Sequence, residues 1–301
     1  MEALDTRSGF VGLAGRPNVG KSTLANAIVG AKVAIVSDRP QTTRRAIRGI
    51  ATDPGGGWQM VLVDLPGVQR PRDDLTGRMQ RRVEHELADA DAVLLVIDGE
   101  QGVGPGDRFI ARALLDAGGD TPIVCAVNKT DRLRRPGAAK ALVEAESLEV
   151  ADEIFPVSAR RGTGISPLVE RLVEGLPAGP LLYPPGDRTD ASREIRLAEL
   201  IREQVLRRTR EEVPHSVEVL VEEVEERQDG LVAVDAEVWV ETESQKGILI
   251  GSGGKMVRDV GAAARRELER ELDARVYLDL NVKLRRRWRR DAALLDRLGI
   301  D

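Results

Sequence analysis

The 301-residue chain carries 45 Lys and Arg against 50 Asp and Glu, a net charge of −5. That balance excludes a uniformly basic nucleic-acid coat but leaves room for local basic patches. One cysteine, Cys125, excludes an internal disulfide framework and fits a cytosolic setting, and two histidines, His85 and His215, leave no His-based triad or zinc cage.

No basic stretch followed by a long apolar run opens "MEALDTRSGFVGLAG", so no signal peptide is expected, and "AVLLVI" at 92–97 is too short to span a bilayer. "GFVGLAG" reads as a strand ending at a glycine loop, and "KSTLANAIVG" as a helix stopped by Gly30. "RRAIRGIAT" and "WQMVLVDLPG" read as two strands joined by the turn "DPGGG", a hairpin at one sheet edge. "DAVLLVIDG" and "TPIVCAVNKTD" are continuous apolar runs, the mark of strands buried on both faces. Helical patterns cover 75–88, 106–117, 137–147 and 166–175, and "EIFPVSA" is the last strand. This alternation predicts an α/β domain over residues 1–176, a mostly parallel sheet with helices on both faces, and the glycine loop "GRPNVGKS" between its first strand and first helix makes it one of the P-loop NTPase type.

"GLPAGPLLYPPGD" is rich in Pro and Gly and predicts a linker over 177–187. Residues 188–301 then follow the order α-β-β-α-α-β and an Arg-rich tail, a smaller α+β unit.

"GRPNVGKS", Gly15 to Ser22, matches G-x-x-x-x-G-K-S/T between a strand and a helix, where backbone N–H groups and the helix N-terminus cradle phosphates. The phosphate-binding set is therefore Gly15, Arg16, Pro17, Asn18, Val19, Gly20, Lys21, Ser22 and Thr23, with Lys21 reaching the β- and γ-phosphates and Ser22 offering a hydroxyl to Mg²⁺. The base is chosen by "NKTD". An Asp131 carboxylate accepts two hydrogen bonds from guanine N1–H and the 2-amino group, a donor pair that adenine lacks. Asn128 bridges loops, the stem of Lys129 lies over the base, and Ser158 and Ala159 of "SAR" close the pocket. In "DLPG", Asp64 holds Mg²⁺ through water and Gly67 senses a γ-phosphate; in "QTTRR", Thr43 is the candidate Mg²⁺ ligand ahead of Thr42. Val68 stands where Ras-type GTPases place a water-orienting glutamine, so water must be oriented otherwise.

A second glycine loop, Gly251-Ser252-Gly253-Gly254, fits the G-x-x-G with which KH domains clamp the backbone of about four nucleotides. Residues 211–243 hold twelve acidic residues and one basic one, whereas 244–290 hold thirteen basic and six acidic. Lys246, Lys255, Arg258, Arg265, Lys283, Arg285, Arg286 and Arg287 are the candidate phosphate contacts, and Trp288 is expected to pack rather than stack on a base.

"GRPNVGKSTL", "QTTR", "DLPG" and "NKTD" resemble the signature motifs of the Era family of GTPases, and the likeness runs on through "LPAGP", "EVPHS", "QKGILIG" and "LDLNVKL". The resemblance implies a GTP-hydrolysing G domain joined to a type II KH domain that binds the 3′ end of 16S rRNA during 30S subunit assembly. It also implies GTP and GDP as ligands and Mg²⁺ as cofactor. Asn18 would hold a K⁺ ion where an arginine finger works, joining Lys21, Thr43 and Gly67 in catalysis. A monomer in the cytoplasm with peripheral membrane association completes the implied picture. The chain departs from the family at Ser252, where Lys is usual, and carries Lys255 three positions on. The alternative reading is an RNA-binding assembly chaperone in which GTP is regulatory and hydrolysis incidental.

Overall fold

The computed structural model describes residues 6–37, 39, 42–67, 71–117 and 121–300. The chain divides into two compact units, one of Met1–Ala34, Gln41–Arg72 and Thr76–Asp190, the other of Ala191–Asp301 with the short stretches Ile35–Pro40 and Asp73–Leu75.

In the first unit the chain runs β1 (Arg7–Ala14), α1 (Lys21–Val29), β2 (Ile47–Thr52), β3 (Trp58–Asp64), α2 (Asp74–Ala88), β4 (Ala92–Asp98), α3 (Pro105–Asp116), β5 (Ile123–Asn128), α4 (Arg135–Glu146), β6 (Glu153–Pro156) and α5 (Ile165–Glu174). The strand order is β2-β3-β1-β4-β5-β6, parallel throughout except between β2 and β3. β2 and β3 form the edge hairpin foreseen from "DPGGG". Its turn closes because Gly56 takes φ 76°, and because the Asp53 carboxylate accepts from the Gly57 N–H at 2.9 Å. The apolar runs are continuous because alternate residues serve opposite layers. Leu94 and Val96 pack with Leu24 of α1 and Leu168 and Leu172 of α5; Val93, Leu95 and Ile97 pack with Ile110 of α3 and Ala141 of α4. Each buried Leu, Ile or Val among them stabilises the fold by about 1.5–3 kcal/mol.

The Pro- and Gly-rich stretch expected as a linker lies along this first unit as a strap. Gly179 N–H donates to the Thr6 carbonyl at 2.9 Å, and Ile50 N–H donates to the Arg188 carbonyl at 2.8 Å. Gln59, fully buried on β3, accepts from the Leu182 and Tyr183 N–H groups at 2.8 Å each and donates to the Tyr183 carbonyl at 2.9 Å. An edge strand has unpaired backbone groups on its outer side, and residues 188 and 189 cover those of β2.

The second unit runs α6 (Arg193–Arg208), α7 (Val213–Ser216), β7 (Glu218–Glu226), β8 (Leu231–Val240), α8 (Glu243–Ile250), α9 (Lys255–Leu272), β9 (Arg275–Leu284) and α10 (Ala292–Arg297). Its sheet has the order β7-β8-β9, antiparallel then parallel. Leu197, Ile201 and Val205 on α6 and Val260, Ala264 and Leu268 on α9 repeat every four residues, and Val232, Val234, Ala236, Val238 and Val240 on β8 every two; all face one core. Thr242 and Gln245 form a capping box that starts α8. "ILI" ends that helix. The first helix of this unit stops at Arg208, and a separate turn with Pro214 in its first positions follows. Trp288 packs, as expected: it is fully buried and its Nε1–H donates to the Ser216 carbonyl at 2.9 Å. Among the described residues no helix is long and apolar enough to cross a membrane.

Candidate functional site

The motif residues of the first unit come together at the carboxyl ends of parallel strands. The glycine loop follows β1, Asp64 ends β3, Asn128 ends β5, and Ser158 lies two residues beyond β6. The chain crosses from one side of β1 to the other between β3 and β4, and such a switch point opens a crevice for ligands.

In the loop, Gly15 takes φ 149° and Gly20 φ 102°. A Cβ on Gly15 would lie 2.5 Å from the Val96 carbonyl oxygen, and one on Gly20 would lie 2.4 Å from Asn128 Nδ2. Glycine is thus required by what packs against the loop as well as by its curvature. Asn18 takes φ 65°, a left-handed position that Asn tolerates. Lys21 is buried, and its Nζ donates to the Gly15 and Arg16 carbonyls at 3.0 and 3.1 Å. Burial pulls its pKa down to about 8, against the opposing attraction of Asp64. The Arg16 side chain turns away: Nε lies 2.8 Å from the buried Asp107 carboxylate and Nη2 donates to the Gly102 carbonyl at 3.1 Å. Only its backbone is left for a phosphate.

Ser22, Thr43 and Asp64 converge although 42 residues separate the first from the last. Ser22 Oγ donates to Asp64 Oδ2 at 2.6 Å, Thr43 Oγ1 donates to the same oxygen at 3.2 Å, and the two hydroxyls are 3.1 Å apart. Three hard oxygen donors in one spot suit Mg²⁺. Gly67 approaches the glycine loop so closely that a Cβ would sit 2.8 Å from Pro17 N. Val68, and with it the matter of the missing glutamine, lies outside the described residues, as does Gln41.

On the base side Asn128 ties two loops together. Its Nδ2 donates to the Val19 carbonyl and its Oδ1 accepts from the Ala159 N–H, both at 3.0 Å. Lys129 Nζ donates to the Asn18 carbonyl at 2.7 Å and to Asp98 Oδ2 at 2.6 Å. Asp131 accepts from Ser158 Oγ at 2.6 Å, and this hydrogen bond above all holds its carboxyl below the usual carboxylate range. Asp98 was not among the residues singled out from the sequence; its signal was its place as the last residue of an apolar strand, next to a glycine.

In the second unit the G-x-x-G loop joins α8 to α9 through a single 3₁₀ turn. Gly251 takes φ 71° and ψ 171°, Gly253 φ 57° and Gly254 φ 75°, and Ser252 is exposed. Lys255, Arg258, Arg286 and Arg287 are exposed, Lys246 is half-buried, and among the described residues none of the five forms an ion pair. The remaining three candidates have acidic neighbours. Arg265 lies 3.7 Å from Glu269, Lys283 lies 4.0 Å from Glu237, and Arg285 donates to Glu237 at 3.1 Å while covering the Trp239 ring at 5.5 Å. Burial works against the charge on Glu237, yet hydrogen bonds from Trp239 and Arg285 bring its pKa below the ordinary value. Ile248, Ile250 and Tyr277 are the exposed large apolar side chains of this unit.

Two family models match the chain, one described as a 50S ribosome-binding GTPase over residues 10–129 and one as a KH domain over residues 212–289. GTPase Era of Mycobacterium tuberculosis is 48% identical over 97% of this chain and 98% of its own, and that of Mycolicibacterium smegmatis 45% identical over the same shares. A crystal structure of Era in complex with MgGDPNP and nucleotides 1506–1542 of 16S ribosomal RNA superposes with a TM-score of 0.93 at 32% identity, over 98% of this chain and 99% of that one. A variant of Aquifex aeolicus Era bound to GDP·AlF₄⁻ superposes at 0.92 and 33% identity, over the same shares.

Proposed function

The chain belongs to the Era family of GTPases, and from that premise we propose that it hydrolyses GTP and binds the 3′ end of 16S rRNA in the assembly of the 30S subunit. The observation that carries the reading is that Lys21 with its glycine loop and Asp131 gather at one edge of the sheet, their loops tied together by Asn128 and Lys129. The loop from Gly15 to Thr23 takes the triphosphate; Asp131, Asn128, Lys129, Ser158 and Ala159 take guanine. Ser22, Thr43 and Asp64 hold Mg²⁺, which supplies positive charge to the phosphates. Lys21 and the Gly67 N–H meet the charge that develops on the γ-phosphoryl group, and such fixed donors are a main source of acceleration in phosphoryl transfer. Asn18 carries a K⁺ ion; equal turnover in KCl and NaCl would remove it from the site.

The RNA reading rests on the G-x-x-G loop and the unpaired cations beside it. Lys255 takes over the phosphate contact that Ser252 cannot make. GTP orders the segments holding Thr43 and Gly67 and so favours RNA engagement. The protein works as a monomer in the cytoplasm and meets membranes only at their surface. The test is a pair of titrations. GTP is expected to bind far more tightly than ATP by calorimetry, and a 16S 3′-end oligonucleotide more tightly with a GTP analogue than with GDP. Equal uptake of ATP and GTP would remove the first half of the reading, and equal RNA affinity the coupling.

A further inference from the structure

Arg48 stands on β2, five residues after Thr43. Its Nη2 donates to Glu86 Oε1 of α2 at 3.3 Å, its Nη1 donates to Asp190 Oδ2 at 3.3 Å, and its guanidinium lies 5.5 Å from the Phe10 ring. Asp190 ends the strap and also accepts from the Tyr183 hydroxyl at 3.1 Å. One side chain therefore meets the strand that follows Thr43, the helix that follows Gly67, and the strap.

The pairing of the cluster leaves room for a second arrangement. Glu86 is only 8% exposed at its side chain, and a carboxylate so shielded must keep a cation beside it. It has two, Arg48 and, at 2.6 Å, Arg82 of its own helix. Arg48 in turn has two carboxylates, Glu86 and Asp190. If α2 moves away, Glu86 keeps Arg82, Arg48 keeps Asp190, and no charge is stranded. A cavity of about 340 Å³ lined by Phe10, Arg48, Arg82, His85, Glu86 and Asp89 gives these side chains room to change rotamer.

We propose that Arg48 is a latch that ties the strap to α2 in one nucleotide state and releases it in the other. The state of the nucleotide thereby reaches the segment of chain that leads into the second unit. Arg48 touches no nucleotide in this scheme; it is a positioning residue. The inference rests on the reading above, in which a γ-phosphate orders the segments at Thr43 and Gly67.

Hydrogen exchange by mass spectrometry on the full chain, loaded with Mg·GDP or with a Mg-bound non-hydrolysable GTP analogue, tests it. Strap amides 179–189 are expected to exchange about threefold or more differently in the two states of the wild type. In Arg48→Met the strap exchanges faster in both states and alike. In Glu86→Gln the limb to Asp190 stays in place, so strap protection with either nucleotide settles at the level of the wild type's released state and the response to nucleotide is lost. That pattern separates a latch from a brace. Turnover and GTP affinity stay within about twofold in both variants. A wild-type strap blind to nucleotide, or a Glu86→Gln strap that still responds, overturns the latch. Exchange at 42–47 and 60–67 is read in the same experiment: silence there refutes the nucleotide reading, whereas a response there with a silent strap refutes the latch alone.

Discussion

Lys21 shows how burial turns one side chain into a pH-dependent element. Without nucleotide its ammonium is charged below pH 8 in folded and unfolded chains alike, and the fold bears the whole burial penalty, about 3 kcal/mol for a shift from 10.5 to about 8. Between pH 8 and 10.5 the folded chain loses its proton first, and the penalty fades as pH rises. Nucleotide-free Lys21→Met is therefore expected to melt above the wild type at pH 7 and to lose that advantage toward pH 10, as thermal scans across pH will read. A triphosphate restores the charge, so GTP binding near pH 8.5 takes up part of a proton, visible by calorimetry in two buffers of different ionisation enthalpy. Asp131 has the opposite sign. Its carboxyl is held low by Ser158, so on the proposed reading guanine binding is expected to persist above that lowered pKa and to be lost as pH falls through it. Ser158→Ala raises the carboxyl toward the usual range and moves the acid limb of GDP binding upward in pH. Asp131→Asn exchanges an acceptor for a donor; it weakens GTP by about 100-fold and admits xanthine nucleotides, whose C2 oxygen accepts.

Among the elements, the strap and the G-x-x-G turn hold the most consequence per residue. Gln59 satisfies three strap backbone groups from inside the sheet. Gln59→Leu leaves them without partners at a cost of about 2–4 kcal/mol, to be read as a lower denaturation midpoint with faster exchange over 179–189. Gly251 has a backbone conformation that is almost exclusive to glycine, and a Cβ there would lie 2.8 Å from Met256 Cβ and 2.9 Å from Met256 N. Gly251→Ala is expected to cost about 1–3 kcal/mol and to abolish binding of the 16S oligonucleotide while leaving GTP turnover intact.

For the molecule as a whole, charge is sorted by pairing more than by position in the chain. The stretch after residue 243 reads as a block of cations in sequence, yet Arg285, Arg289 and Arg297 are paired with Glu237, Glu241 and Glu222 of the acidic stretch before it. Of the candidate phosphate contacts, Lys246, Lys255, Arg258, Arg286 and Arg287 form no ion pair among the described residues, and on the proposed reading these meet the RNA. Four or five contacts to single-stranded phosphates give a slope of log affinity against log salt of about −3. Arg286→Gln is expected to flatten that slope by about 0.7 without changing the melting temperature. Arg285→Gln does the reverse, lowering stability and leaving the slope alone.

Local chemistry was legible in the sequence. The glycine loop, "DLPG" and "NKTD" each need only a few adjacent residues whose backbone freedom and functional groups suit phosphate, metal or guanine, and apolar periodicity carried the strands and helices that present them. The order α-β-β-α-α-β was equally plain, because period two and period four are properties of the chain alone. What the folded structure decided is everything that depends on partners distant in sequence. It chose Thr43 for the spot beside Ser22 and Asp64, turned Arg16 toward Asp107, brought Asp98 to Lys129, removed Arg285 from the free cations, and laid a Pro-rich stretch on an edge strand. A side chain's type states which bonds it can make; only close packing determines which of several eligible partners lies within 3 Å, and that choice separates a charge available to a ligand from one that holds the fold together.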